Sequence, residues 1–231
     1  MHALGYRFAN VFRVDALQRF GDDIWIADGP TVHFFGAPLP TRMVVVKLGD
    51  GSLWVDSPVV ATAEQVGKLA QIGPVAHLAS PTRLHDWRLD AWAEFFPHAQ
   101  VWKAAMLDDE PPPAWKGQID QTRFRGSAVL SEVEFFHRRS RTLVVADFAQ
   151  NFRLEPKHPI RNALLRLGGV VDGGAPRDLR LSFFGAGRRA GRESVRTLLS
   201  WDFDKVVVAH GDCVDRDAKT FVERSFRWLG I

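Results

Sequence analysis

The sequence contains a single cysteine, Cys213, among 231 residues. One cysteine excludes an intramolecular disulfide, and it excludes zinc sites that are built from several cysteines. No run approaches the roughly 18 apolar residues of a membrane span. Residues 1–18 lack the continuous apolar stretch of a signal peptide. These absences predict a soluble cytoplasmic protein with no membrane partner.

Strong charge of either sign is also absent, because the formal net charge is only +3. A nucleic-acid-binding surface normally needs a larger and more clustered positive charge, so a nucleic-acid partner is not expected. The hydrophobic fraction of 46% is typical of a globular chain, and no linker-like change in composition divides it. We therefore predict one domain that covers residues 1–231. Nothing in the composition indicates an oligomeric state.

Two hairpins are predicted from runs of apolar and β-branched residues. The first joins residues 43–48 to residues 52–56 through Gly49-Asp50-Gly51, a strong turn signal. The second joins residues 133–137 to residues 141–147. Helical patterns lie between and after these hairpins. This order predicts an α/β (α+β) protein with two sheets packed face to face and helices outside.

Other segments are predicted from turn and helix signals. Residues 24–28 and 32–35 look like two short strands separated by a turn at Gly29-Pro30, and residues 36–40 look like a loop. Residues 151–200 look helical and basic, with ten Lys or Arg against four Asp or Glu between Arg153 and Arg196. We interpret this segment as a basic helical insertion.

Four apolar runs lead into ionisable residues, as strands do when they deliver polar groups to a site. These residues are Asp56, His85 with Asp86, Asp147, and His210 with Asp212. Buried charged groups need partners or a metal ion, because burying them unpaired costs several kcal/mol. Two His and two Asp residues suit a divalent ion such as zinc, iron or manganese. The spacing alone does not define a site, since no two of the four runs lie within two or four residues of each other.

A family resemblance covers the chain from about Asp23 to Leu229. The order of elements is similar to the metallo-β-lactamase fold, and several stretches resemble an uncharacterised family of metallo-β-lactamase-like proteins, a domain family of unknown function. The stretches are residues 39–43, 53–58, 73–75, 134–138, 142–147, 201–204 and 209–212. The resemblance implies a four-layer αββα sandwich with its site along one edge between the sheets.

The metal motif of this superfamily is altered between Pro81 and Asp86. The motif is His-x-His-x-Asp-His, and its first two His positions fall on Pro81 and Arg83. Its last two positions fall on His85-Asp86, which has the same ligand types in reversed order. A further expected His falls near Ala128, which cannot bind a metal. The resemblance therefore implies that the first of the two superfamily metal sites is absent.

The second superfamily metal site is better preserved. Its remaining ligands match Asp147 and His210, so that His85, Asp86, Asp147 and His210 would form a mononuclear site. The resemblance implies that Asp56 at most contacts a metal ligand and does not bind the metal itself. A metal ion with an open position would support hydrolysis of an ester, lactone, thioester or phosphoester.

The expected reaction also gives roles to two residues near these ligands. Asp212, or another carboxylate that binds no metal, could act as the general base. Arg83 could anchor an anionic small-molecule substrate or stabilise an oxyanion.

Two alternatives remain open at this stage. The protein could be a metal-free, non-catalytic binding protein on the same scaffold, in which case His85 and Asp86 bond to each other or to strand ends. Under this alternative the protein binds no cofactor, whereas the hydrolase would bind one divalent metal ion. In the basic segment, Arg188, Arg189 and Arg192 could attract an acidic substrate or a nucleic acid, or they could simply form a solvated helix face.

Overall fold

A computed structural model describes residues 17–34 and 37–231, so the first 16 residues of the predicted domain lie outside the described residues. The described strands are β1 (Gln18–Gly21), β2 (Ile24–Phe34), β3 (Ala37–Lys47), β4 (Leu53–Asp56), β5 (Val75–Ala79), β6 (Gln100–Trp102), β7 (Ile119–Phe124), β8 (Glu132–His137), β9 (Thr142–Val145) and β10 (Lys205–Val208). The helices are α1 (Ala63–Ile72), α2 (Leu89–Phe95), α3 (Pro159–Gly168), α4 (Arg177–Leu181), α5 (Ala186–Ser200) and α6 (Ala218–Phe226). No helix in the described part of the chain is long and apolar enough to cross a membrane.

The strands form two sheets. The first sheet has the order β1-β2-β3-β4-β5-β6, antiparallel from β1 to β4 and parallel from β4 to β6. The second has the order β10-β9-β8-β7, with β10 parallel to β9 and the other pairs antiparallel. Both predicted hairpins are confirmed as the antiparallel pairs β3–β4 and β8–β9.

Three apolar layers hold the two sheets and the helices together. Trp54 and Val46 of the first sheet pack against Phe135 and Val144 of the second. A second layer joins the outer side of the first sheet to α1 and α2, through residues such as Leu69. The third joins the second sheet to α5 and α6. Because each sheet is covered on both faces, its central strands are continuous apolar runs. The predicted αββα sandwich is thus confirmed.

The predicted turn at Gly29-Pro30 is wrong, because β2 continues through it as one strand of 11 residues. The strand pairing with β3 shifts register between Gly29 and Val32, so the glycine and proline mark a bulge. A side chain at position 29 would lie 2.5 Å from Thr41 Oγ1 and from Val59 Cγ1, which explains the glycine. The predicted loop at residues 36–40 is likewise wrong for residues 37–40, which belong to β3.

The second half of the chain contains one strand that the sequence did not indicate. β7 pairs with β8 from Ile119 to Phe124 and forms the edge of the second sheet. The region predicted as a basic helical insertion contains α3, α4 and α5 with irregular connections between them. Of these helices, α5 packs on the second sheet, while α3 lies beside the site described below.

Candidate metal centre

Three side chains converge beyond the carboxyl ends of β5, β9 and β10. His85 Nε2 lies 3.6 Å from Asp147 Oδ1, and His210 Nε2 lies 3.3 Å from the same oxygen. The two imidazole ring centres are 5.8 Å apart. All three potential ligand atoms lie within 4.8 Å of one another. The three side chains are largely buried, so they form a compact polar cluster.

His210 is fixed by the turn that follows β10. Its Nδ1 lies 2.7 Å from the carbonyl oxygen of Pro40 in the other sheet. Gly211 has a φ of 100°, and a side chain there would lie 2.0 Å from the carbonyl oxygen of Asn151. That oxygen accepts a hydrogen bond from the Asp212 backbone, while the Asn151 backbone donates to His210 O. Only glycine fits this close approach between the two chain segments.

Arg42 of β3 holds the same turn from the opposite side. Its Nη1 donates to the carbonyl oxygens of Val208 at 2.6 Å and Gly211 at 2.7 Å, and its Nε pairs with Asp28 at 2.7 Å. The arginine therefore connects the first sheet to the end of β10 through two carbonyls that flank His210. Its charge is balanced by Asp28, so we assign it a positioning role.

His85 is held from behind by Ser57, which follows β4. Ser57 Oγ lies 2.8 Å from His85 Nδ1 and donates to Asp56 Oδ2 at 3.1 Å. Ser57 has a φ of 52°, a backbone conformation that costs energy for a residue other than glycine. The strained turn places the hydroxyl between the carboxylate and the imidazole. Asp56 thus lies behind the ligand, as the resemblance implied.

Asp147 is positioned by Thr82 and Glu132. Thr82 Oγ1 donates to Asp147 Oδ2 at 3.0 Å, which leaves Oδ1 facing the two histidines. The buried Glu132 carboxylate accepts backbone N–H groups from Ala146 at 2.8 Å, Asp147 at 2.8 Å and Phe148 at 3.1 Å. The chain after β9 is therefore bound to a single side chain of the neighbouring strand β8.

The charges in the cluster are arranged as an ion pair. Burial lowers the pKa of His85, but the Asp147 carboxylate outweighs burial and raises that pKa above its usual value. Burial raises the pKa of Asp147, but His85 and His210 outweigh it and hold that pKa well below its usual range. Burial also raises the pKa of Asp56 to about 7. Without a bound cation, the Asp147 carboxylate therefore favours the protonated form of the His85 imidazole.

The donor set fits a divalent metal ion. The Pro40 carbonyl can only accept, so Nδ1 of His210 carries the proton and Nε2 has the free lone pair when the ring is neutral. The Ser57 hydroxyl donates its proton to Asp56, so it accepts a hydrogen bond from Nδ1 of His85. Nε2 of His85 therefore has a free lone pair as well. Histidines that bind metals usually have their other nitrogen bonded in this way. Two imidazoles and one carboxylate are the ligands of catalytic zinc and of non-haem iron sites.

The predicted fourth ligand, Asp86, lies outside this cluster. The Ser80 hydroxyl donates to Asp86 Oδ1, and Asp86 begins the short 3₁₀ turn of residues 86–88. The structure brings together His85, Asp147 and His210 and turns the Asp86 carboxylate back towards Ser80 at the end of β5. The set of candidate ligands therefore has three members instead of four.

The two predicted catalytic residues differ in position. Arg83 lines the cavity beside the cluster, and its Nη2 lies 3.4 Å from the carbonyl oxygen of Val129. Asp212 does not line that cavity. Its carboxylate pairs with Arg153 at 2.5 Å and is half-exposed. That geometry does not favour Asp212 as a general base.

The positions that the resemblance assigns to the first metal site of the superfamily hold no metal-binding side chains. Pro81 is buried, and its carbonyl oxygen accepts from the backbone of Val133. The Ala128 backbone donates to Ser182 O. These residues are part of the backbone framework and offer no nitrogen or carboxylate side chain, as their residue types predicted.

Sequence reasoning missed the groups that hold the ligands in place. Ser57 and Thr82 stand next to noted residues, but a serine or threonine in a turn is too common to be a signal. Glu132 and Glu134 had a usable signal, because they are acidic residues within the apolar run of β8. Burial, and then the charge of Glu132, raise the pKa of the Glu134 carboxyl well above the usual value.

The ligand cluster forms part of the wall of a cavity of about 810 Å³, called the site cavity below. Volumes of this size hold small molecules in other proteins. Arg188, Arg189 and Arg192 are not among its lining residues. Arg188 and Arg192 donate to carbonyl oxygens of Trp228 and Leu229, and Arg189 pairs with Glu193. Two of these arginines therefore tie α5 to the C-terminal segment, and only Arg189 is solvent-exposed.

Solved structures with the same fold identify the architecture. A metallo-β-lactamase from Pontibacter korlensis superposes with a TM-score of 0.61 at 13% identity, covering 93% of this chain and 98% of that one. The chain has the metallo-β-lactamase fold. A metallo-β-lactamase from Erythrobacter litoralis in its mono-zinc form gives a TM-score of 0.58 at 9% identity, covering 96% and 99%. At such low identity, these likenesses show the metallo-β-lactamase fold alone.

A flavodiiron protein shares the metallo-β-lactamase fold as well. The metal-soaked Flv1 flavodiiron core from Synechocystis sp. PCC6803 gives a TM-score of 0.63 at 10% identity. The match covers 94% of this chain but only 61% of the Flv1 core. The model of the family described as "Domain of unknown function (DUF4336)" matches residues 21–108, which include His85 but neither Asp147 nor His210. No curated protein matches the sequence.

Proposed function

We propose that this protein is a metal-dependent hydrolase with one divalent ion held by His85, Asp147 and His210. The observation that supports it is the convergence of two imidazole Nε2 atoms on one carboxylate oxygen, at 3.3 and 3.6 Å. Both outer nitrogens are already bonded, to Pro40 and Ser57. Three protein ligands leave an open position, as in catalytic zinc sites. Zinc, iron and manganese are the candidate ions.

The reaction class is hydrolysis of an ester, lactone, thioester or phosphoester. When bound, the ion supplies a Lewis acid that activates water and polarises the scissile group. Hydrolysis joins the water oxygen to the acyl carbon or phosphorus, breaks the bond to the leaving oxygen or sulfur, and moves a proton to the leaving group. Arg83, which lines the site cavity, is placed to bind an anionic part of the substrate. The metallo-β-lactamase from Erythrobacter litoralis, which has the same fold, was solved in a mono-zinc form, and this supports a site for one ion.

A metal-free binding protein is the second candidate. Pro81 and Ala128 occupy the positions where the superfamily has first-site histidines, so half of a dinuclear centre is lost. In that case the His85–Asp147 ion pair would be a structural contact at the end of the sheets. The site cavity would then bind a small molecule without converting it.

Elemental analysis of protein purified without chelator tests the proposal. We expect about one transition-metal ion per chain, with loss of the ion in Asp147→Ala and its retention in the control Asp86→Ala. Hydrolysis of chromogenic esters, thioesters and phosphodiesters should stop on chelation and return when metal is added. Protein without metal, whose thermal stability does not respond to added zinc, would overturn the hydrolase and favour the binding protein.

A further inference from the structure

Apolar side chains make up most of the site cavity wall beyond the three ligands. They include Val32, Leu39, Val129, Phe152, Ile160 and Leu164. Ile160 is 78% exposed, Leu164 57% and Val129 56%. Soluble proteins rarely leave large apolar side chains exposed in one contiguous patch unless the patch binds something. The wall next to the candidate metal site therefore has the chemistry of a binding surface for an apolar group.

Helix α3 is a fixed part of this wall. Ile160 and Leu164 are four residues apart, so they lie on one face of the helix. The helix begins with Pro159, and Gly169 ends it with a φ of 73°. The buried Asn162 side chain accepts from Glu155 N at 2.9 Å and donates to Glu155 O at 2.7 Å. These bonds tie the helix to the preceding segment, so the apolar face keeps its position over the cavity.

A half-buried cation, Arg88, lies on the same cavity wall. Arg88 lines the site cavity, and its Nε and Nη2 atoms are buried with no hydrogen-bond partner among the described residues. The guanidinium lies 3.8 Å from the centre of the Trp87 ring. Burial lowers the pKa of Arg88 only to about 10, so it keeps its charge at neutral pH. Because the charged guanidinium lies at the cavity wall, it would attract an oxyanion bound in the cavity.

Two other arginines of the site cavity differ from Arg88. Arg42 pairs with Asp28 at 2.7 Å, and Arg161 pairs with Glu155 at 3.1 Å. Their charges are balanced within the protein, so they do not need a ligand. No ion pair to Arg88 is found in the described ranges, residues 17–34 and 37–231. Arg83 also lines the cavity and has no ion pair in these ranges, so the uncompensated positive charge of the cavity lies on Arg83 and Arg88.

We propose that the ligand of the site cavity is an anionic amphiphile. Its aliphatic chain lies along Ile160 and Leu164 of α3, and its oxyanion, a carboxylate or a phosphate, meets Arg88. The assignment names the substrate class of the proposed hydrolase and rests on it for the bond that is broken. Binding itself needs only the cavity wall and Arg88, so it can be tested without metal.

Calorimetric titration of chelator-treated protein with straight-chain carboxylates, alkyl phosphates and alcohols of 6 to about 16 carbons tests the proposal. Each added methylene should tighten the dissociation constant about fourfold until the cavity is filled. Both kinds of anion should bind about ten- to a hundredfold more tightly than the alcohol of equal length. Affinity that does not depend on chain length would overturn the proposal.

Two leucines of α3 provide a matched pair of variants. Leu164 lines the site cavity, whereas Leu167 is 65% exposed on the same helix and is not a lining residue. Leu164→Asp should weaken binding of a long-chain carboxylate at least about tenfold, because it places a charge on the apolar wall. Leu167→Asp should leave the dissociation constant unchanged. Equal effects of the two variants would contradict an aliphatic chain at this wall.

Arg88→Met tests the anionic end of the ligand. The variant should lose most of the preference for anions over the alcohol, because only Arg83 remains unpaired among the described residues at the cavity wall. It should keep the dependence on chain length, which also shows that it has folded. A preference that is undiminished in Arg88→Met would overturn the role of Arg88. These outcomes are independent of catalysis. A protein that binds long-chain anions but holds no metal contradicts only the hydrolase, and one that hydrolyses esters regardless of chain length contradicts only the amphiphile.

Discussion

The hydroxyl of Ser57 lies 2.8 Å from Nδ1 of His85, at the ring nitrogen that does not face Asp147. The two residues are 28 positions apart and come from the ends of neighbouring strands, β4 and β5. Their contact fixes both the tautomer and the tilt of the imidazole. The orientation of one candidate ligand therefore depends on a serine that has no role in binding metal itself.

Ser57→Ala should lower metal affinity about 10- to 100-fold while the fold is retained, because His85 loses the partner of its outer nitrogen. Competition with a chromogenic chelator measures the dissociation constant. Ser80→Ala is the control, since the Ser80 hydroxyl bonds to Asp86, which lies outside the cluster. Similar affinities for the two variants would show that the Ser57 contact does not orient the ligand.

Glu132→Ala should destabilise the protein by about 3 kcal/mol or more at pH 7. The substitution leaves three buried backbone N–H groups, those of Ala146, Asp147 and Phe148, without an acceptor. Urea unfolding gives the free energy. Glu134→Ala removes an equally buried carboxyl two residues away but orphans no donor, so its cost should be smaller. An equal or larger cost for Glu134→Ala would contradict this role of Glu132.

Glu134→Gln should stabilise the protein increasingly as the pH rises. Burial, and then the charge of Glu132, raise the pKa of Glu134 well above its usual value, so the folded state holds a proton that the unfolded state releases. Stability from this group is therefore present at low pH and lost as the pH rises towards the folded pKa. Between the two pKa values, the variant should gain about 1.4 kcal/mol per pH unit over the wild type.

Urea unfolding of both proteins between pH 5 and pH 8 measures this difference. A constant difference in unfolding free energy across that range would show that Glu134 does not take up a proton on folding. Because glutamine has nearly the shape of a protonated glutamate, packing changes should contribute little to the comparison.

Local sequence patterns predicted the sheets better than they predicted the turns. The hairpin at Gly49-Asp50-Gly51 was recognised because the turn residues sit between two apolar runs. Gly29-Pro30 carries a similar signal but lies inside β2, where the glycine makes room for Val59 and Thr41. A glycine needed for close packing and a glycine needed for a turn look the same in the sequence.

The candidate site was predicted in part for a similar reason. Asp147 and His210 each follow an apolar strand, and both lie in the cluster. His85 and Asp86 are adjacent, and their order gave no means to decide which one faces the cluster. The structure separates them, because the Asp86 carboxylate accepts from Ser80 while His85 meets Ser57 and Asp147.

By itself, the sequence determined which strands end in ionisable residues, because apolar periodicity and strand boundaries are local properties. The family resemblance also implied that the first of the two superfamily metal sites is absent, since Pro81, Arg83 and Ala128 stand where its histidines would be. Only the tertiary structure decided that three of the four candidates meet, and that α3 and Arg88 form a cavity wall beside them. Those contacts join residues far apart in the chain, and they depend on how two sheets and their helices pack.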